Sequence, residues 1–349
     1  IRYRKVSQKN KSYYQLVLTQ TPFYAEMGGQ VGDSGILTTE DEKIEIFDTK
    51  KENNLSVHLS NTLPKDVTAT FKVQINIENR LATARNHSAT HLLHEALREV
   101  LGNHVEQKGS YVSPDSLRFD FSHFQKLTRE EIREVEKIAN RRILTNYPLH
   151  EMRETPIAEA QAMGAMALFG EKYGETVRVI QFGNSVELCG GTHVHATGEI
   201  GMVKIVAESS IAAGIRRIEA ITGKAVEDLI NNVQDTLFSA KELFNNTPDL
   251  TKAIHKTIEE NSDLKKQMEN IMHERIFALR DKLIAEAKEE NGVKTIRFRT
   301  ELPTDAVKTL AFQIKNVVGN QLFVAIGSIF DGKPSLTVLL SDDLVAQGH

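Results

Sequence analysis

The sequence predicts an α+β protein built from several units. Short alternating or β-branched runs dominate roughly the first eighty residues, amphipathic helices mix with strands in the middle, and a long charged helical stretch precedes a last strand–helix region. At 349 residues, and at ~150 per domain, two or three domains are expected rather than one.

Residues 13–18, 43–47 and 67–73 read as strands parted by turn-prone clusters, a spacing that suggests a small β-barrel over residues 1–78. Residues 23–35 interrupt it with four glycines, which mark tight turns or a backbone that something approaches closely. Within them, Gly28-Gly29-Gln30 is a tripeptide also used by peptide release factors. Three residues are too few to carry that match, and a glycine-rich turn is the plainer reading.

Residues 79–101 turn helical, with Leu93, Ala96, Leu97, Val100 and Leu101 on one face and Gly102 as a stop. A second helix, residues 128–146, opens with the capping-box pattern Thr128-Arg129-Glu130-Glu131. Strands at 176–182 and 201–207 complete an α+β core over 79–223. Beyond it Val226, Ile230, Val233, Leu237, Ala240 and Phe244 step by four and three, a coiled-coil-like seam. Residues 246–249 break this pattern before a charged helix from about 250 to 290, so a long antiparallel helical hairpin is expected over 224–291. Strands at 295–299, 322–326 and 336–340, with a helix at 304–318, give a partial α/β unit over 292–349. That unit reads as unfinished at His349, and the chain opens on Ile1, so a piece of something longer is expected.

Lys and Arg total 43 against 47 Asp and Glu, a net charge of -4 that argues against coating nucleic acid through bulk charge. A local patch survives that argument. Arg2, Arg4, Lys5, Lys9 and Lys11 form one, although a solvated chain end is its plainer reading. No apolar run reaches the ~18 residues of a bilayer span, and no leader pattern is visible. The lone Cys189 excludes an intrachain disulfide and fits a reducing compartment, so a cytoplasmic location without membrane contact is expected.

The sharpest chemical signal is His87-Ser88-Ala89-Thr90-His91 in the first helix. Residues four apart share a helix face, so both imidazoles can reach one cation. Alone the pair is weak. Cys189-Gly190-Gly191-Thr192-His193 strengthens it: a thiolate and three imidazoles are a set zinc accepts. His94 and His195 compete as ligands or supports, with solvent exposure their plainer reading. A zincin protease does not fit, because its glutamate position holds Ser88.

Residues 86–94, the run Val105-Glu106-Gln107-Lys108-Gly109-Ser110, and residues 117–123 closely resemble the editing domain of the alanyl-tRNA synthetases. So do residues 187–194 and Ile215-Arg216-Arg217-Ile218-Glu219-Ala220, while residues 23–35 look like the glycine-rich element of alanine-specific editing proteins. Order and spacing agree over at least residues 20–223; the hairpin and the last unit look like the C-terminal extension and match less strongly.

The resemblance implies a zinc-containing editing core that hydrolyses seryl- and glycyl-tRNA(Ala). A small pocket separates near-isosteres by only ~10²-fold, so serine escapes it, and glycine, being smaller, enters as well. Carried over, His87, His91, Cys189 and His193 are the zinc ligands. Thr90 would hydrogen-bond the serine hydroxyl, and Gln107 would orient water or the ester carbonyl. Arg216, Asp120, Gly28, Gly29 and Gln30 are its substrate- or tRNA-facing candidates, with an Arg118–Asp120 ion pair along one strand the plainer reading for that pair. The implied partners are the tRNA(Ala) acceptor end and a second copy through the C-terminal region. Class II catalytic motifs are absent from the sequence, so ATP and magnesium would belong to an aminoacylation core outside this chain. Alternatives are a free-standing trans-editing deacylase and a non-catalytic zinc-stabilised tRNA-binding or oligomerisation module. A threonyl-type editing domain shares the histidine and cysteine elements but not the glycine-rich segment.

Overall fold

A computed structural model of the chain describes residues 1–8, 11–166 and 174–348, with residues 8 and 11 described through their backbone. It is α+β throughout and divides into two compact units, residues 1–235 and 236–349.

The first unit opens with β1 (Arg2–Gln8), β2 (Lys11–Val17), β3 (Gly35–Thr38), β4 (Lys43–Ile46), β5 (Asp48–Glu52), β6 (Leu55–Ser60) and β7 (Lys72–Ile75). They form two antiparallel sheets, β1-β2-β6-β5 and β4-β3-β7, around Leu16, Phe23, Leu37, Ile44 and Ile46. The closed barrel expected over 1–78 is thus corrected to two separate sheets. The chain changes sheets at Phe47, the one residue between β4 and β5. The strand expected at 67–73 begins only at Lys72, because the Asp66 carboxylate accepts the Thr68 N–H (2.8 Å) and O–H (2.6 Å) and bends the chain into a turn. Of the N-terminal basic cluster, Arg2, Arg4 and Lys5 lie exposed on β1, whereas Lys9 and the Lys11 side chain lie outside the described residues.

α1 (Ile77–Leu101) starts where the Asn76 side chain accepts the Asn79 N–H. β8 (Gln107–Val112) and β9 (Leu117–Ser122) lead to α2 (Arg129–Thr145), whose capping box is complete: the Glu131 N–H donates to Thr128 Oγ1 (3.1 Å) and the Thr128 N–H to Glu131 Oε2 (2.7 Å). Then come β10 (His150–Pro156), α3 (Ile157–Ala162), β11 (Thr176–Phe182), β12 (Ser185–Leu188), β13 (Val203–Ala212) and β14 (Ile215–Thr222). Sheet β13-β14-β9-β8 shares a core with α1 and α2 through Leu92, Leu93, Leu97, Phe119, Phe121 and Ile138. A second sheet, β10-β11-β12, delivers the chain to Cys189.

α4 (Lys224–Leu243) carries the boundary between the units, and residues 244–249 lead to α5 (Leu250–Ala285). Of the expected seam, Val226 is buried while Ile230, Val233 and Leu237 are exposed. α5 stops short of 290. Asn291 and Gly292 take positive φ (54° and 81°), the conformation of a tight hairpin turn joining β15 (Lys288–Glu290) to β16 (Val293–Thr300). α6 (Thr304–Val318), β17 (Leu322–Phe330), β18 (Lys333–Leu340) and α7 (Asp342–Ala346) follow. The sheet β15-β16-β17-β18 is mixed, with β16 and β17 parallel across α6, as an α/β unit requires. Among the described residues no helix is long and apolar enough to cross a membrane.

Candidate metal centre

His87 and His91 stand one turn apart on α1, with ring centroids 5.4 Å apart. The loop after β12 returns to this face, so that one ligand atom from each of His87, His91, Cys189 and His193 lies within 4.8 Å of the others. Cys189 Sγ is 3.3 Å from Nε2 of both His87 and His193. A soft thiolate beside three imidazoles suits zinc. The buried Nδ1 of His91 has no hydrogen-bond partner, which also fits a cluster made to hold a cation.

The electrostatics agree. Burial, and then the neighbouring His91, push His87 down to about 3. Burial likewise lowers His91 and His193. Each shift favours the neutral imidazole, the form that can ligate a metal.

Each of the four side chains is held from behind. Arg178 on β11 donates from Nη1 to the carbonyls of Cys189 (2.9 Å) and Gly191 (2.7 Å), and from Nε to Glu151 Oε1 (2.6 Å). Ser88 Oγ lies 3.1 Å from His193 Nδ1 and accepts the Val194 N–H at 3.1 Å. Gln30 Oε1 lies 2.7 Å from His87 Nδ1 and accepts the Thr192 N–H at 2.9 Å. Glu187 bridges inward, with Oε1 3.0 Å from His94 Nδ1 and Oε2 3.6 Å from His91 Nε2. Gly191 has no room for a side chain, because a Cβ there would overlap the His87 ring.

The other candidates fare differently. His94 is buried against Glu187, correcting its plainer reading as exposed; His195 is 89% exposed and faces Glu199. Thr90, buried beside His91, donates its hydroxyl to the Asn86 carbonyl (2.9 Å). Gln107 begins β8, half-buried, opposite Phe121. Gly28 and Gly29 (φ 60° and 84°) make the turn that carries Gln30 inward. Gln30, expected to face substrate or tRNA, is 0% exposed and turned to His87 and Thr192. Asp120 takes two hydrogen bonds from Arg217 (2.6 and 2.8 Å), and Arg216 is spent on Glu208 (Nε–Oε1 2.6 Å). Both candidates are thus engaged in ion pairs within the protein. In place of the Arg118–Asp120 pair expected along one strand, Asp120 pairs across strands with Arg217, while Arg118 stacks on Tyr111.

Arg178, Ser88 and Glu187 were not singled out from sequence as site residues. Only the position of Ser88 inside the first motif and of Glu187 two residues before Cys189 could have pointed to them; nothing local marks Arg178.

Residues 177–219, which include Cys189 and His193, match the family described as "Threonyl and Alanyl tRNA synthetase second additional domain". Residues 3–81 match "tRNA synthetases class II (A)". The chain is 58% identical over 348 residues to an alanine–tRNA ligase of Parabacteroides distasonis, 55% over 351 residues to one of Porphyromonas gingivalis, and 49% over 349 residues to one of Cytophaga hutchinsonii. These alignments take in 99–100% of this chain and 40% of each relative, so the chain spans about two fifths of their length.

Proposed function

The chain is homologous over its whole length to a segment of the alanine–tRNA ligases, and from that premise we propose that it hydrolyses the ester of tRNA(Ala) mischarged with serine or glycine. The observation that carries this reading is the convergence of His87, His91, Cys189 and His193, two of them buried and two partly buried, within 4.8 Å of one another. Aminoacylation, with ATP and magnesium, falls to the remaining part of such a ligase. The length of the relatives favours this over a free-standing deacylase.

In hydrolysis the oxygen of water bonds to the carbonyl carbon, the ester C–O bond breaks, and the ribose oxygen of the terminal adenosine takes a proton. Zinc on these residues would supply a Lewis acid or an anchor for the substrate amino group, a role that requires one of the four to leave a coordination position open. Thr90 has its proton committed to Asn86, so its oxygen presents lone pairs to a hydroxyl donor. Serine carries such a donor and alanine does not. Gln107, with an amide donor and acceptor, orients the water or the carbonyl.

Deacylation of seryl-, glycyl- and alanyl-tRNA(Ala), alongside zinc quantitation, tests the reading. Serine and glycine should be released and alanine spared, and Cys189→Ser and Gln107→Ala should each abolish release; wild-type rates in both variants overturn the site. A second reading, a zinc-stabilised tRNA-binding or oligomerisation module, draws on the same geometry, since four donors suffice to close a tetrahedral shell. Chelation separates the two. Editing predicts that deacylation is lost while the fold persists; a structural zinc predicts that melting temperature and fold fail together.

A further inference from the structure

Gln30 lies 57 residues before His87 and 162 before Thr192, yet both its amide oxygen and its amide nitrogen are engaged between them. Oε1 is 2.9 Å from the Thr192 nitrogen and 2.7 Å from His87 Nδ1, and Nε2 donates to Thr192 Oγ1 at 2.9 Å. A backbone N–H can only donate, so the amide oxygen must be the atom facing Thr192. That fixes the orientation of the amide. The same oxygen can only accept from His87, so Nδ1 carries the imidazole proton. The ring lone pair is thereby placed on Nε2, the atom 3.3 Å from Cys189 Sγ.

The segment bearing Gln30 is tied at both ends. The Gly29 carbonyl accepts the Val112 N–H (2.8 Å), and the Val31 N–H donates to the Val112 carbonyl (3.0 Å). Asp33 is clasped by Arg80 of α1 and accepts the Tyr24 N–H (2.6 Å). A Cβ at Gly29 would overlap the Ser110 backbone, so the turn can seat this close to β8 only as glycine.

We propose that Gln30 is a positioning residue of the metal centre: it sets the His87 tautomer and holds Thr192, so the glycine-rich segment helps to build the ligand cage. This inference rests on the metal-centre reading above, not on which ester is cleaved.

The test uses the whole chain as wild type, Gln30→Ala and Gln30→Glu. Gln30→Glu keeps the acceptor toward His87 and Thr192, replaces the donor to Thr192 Oγ1 by an oxygen that can accept from that hydroxyl, and adds a negative charge. Zinc affinity is read by chelator competition, and the cobalt-substituted protein by its thiolate-to-metal absorption band. Loss of an outer hydrogen bond to a ligating histidine typically weakens affinity by about 10–100-fold, so Gln30→Ala should fall by that much with an altered cobalt band, and Gln30→Glu should recover most of it. Wild-type affinity and spectrum in Gln30→Ala overturn the proposal. Ring-nitrogen NMR on the wild type tests it without any variant: a protonated Nδ1 at His87 supports it, and a protonated Nε2 overturns it. Zinc binding without hydrolysis of seryl-tRNA would defeat the editing reading alone; a wild type that binds no zinc would defeat this inference as well.

Discussion

The His87 ring occupies the space into which a Cβ on Gly191 would project, so ligand and loop fit only because one of them lacks a side chain. Gly191→Ala should push the ring off Cys189 while leaving the helical core intact. Zinc affinity should drop at least about 10-fold, by analogy with disturbed supports of other ligands, with unchanged circular dichroism. Full zinc occupancy at wild-type affinity would contradict this.

Arg178 spans two loop carbonyls with one guanidinium nitrogen while its Nε holds Glu151. Lysine offers a point charge rather than a fork. Arg178→Lys should therefore loosen the Cys189 loop, costing about 1–3 kcal/mol in stability by urea titration together with slower deacylation.

Arg216 and Arg217 are adjacent but should behave unequally. Arg216 and Glu208 are 12% and 4% exposed at the side chain, so Arg216→Ala strands a buried carboxylate at a cost of about 3–5 kcal/mol. Arg217 and Asp120 are 26% and 18% exposed, and that pair should be worth about 1 kcal/mol. Chemical denaturation of the two alanine variants would show the difference; equal losses would refute the ranking.

Glu151 supplies a pH dependence. Hydrogen bonds from Arg153 and then Arg178 hold its carboxyl down at about 2. Its folded value is below the unfolded one of about 4.5, so its stabilisation is present above that value and disappears as pH falls toward about 2. The wild type should lose urea resistance relative to Glu151→Gln across this window, and parallel curves would remove Glu151 from the account.

Local signals were the legible ones. The histidine pair needs only helical spacing, and the Thr128–Glu131 capping box is written within four residues. Long-range pairing was less legible. Nothing near Phe47 reveals that the chain leaves one sheet for another, and Asp120 finds its arginine 97 residues away on a neighbouring strand rather than two positions back. Gln30 looked like part of a plain turn because both its partners lie far along the chain. The α5 boundary was readable after all: Asn291-Gly292 is a hairpin signal, outweighed by the helical pattern before it.

The four side chains are also split along the chain. His87 and His91 share one helix, whereas Cys189 and His193 follow about a hundred residues later on the loop after β12. A chain ending between Thr145 and Thr176 would therefore carry only two of the four, so a truncation series should bind a metal at this point only once it includes the β10-β11-β12 sheet and the loop that follows.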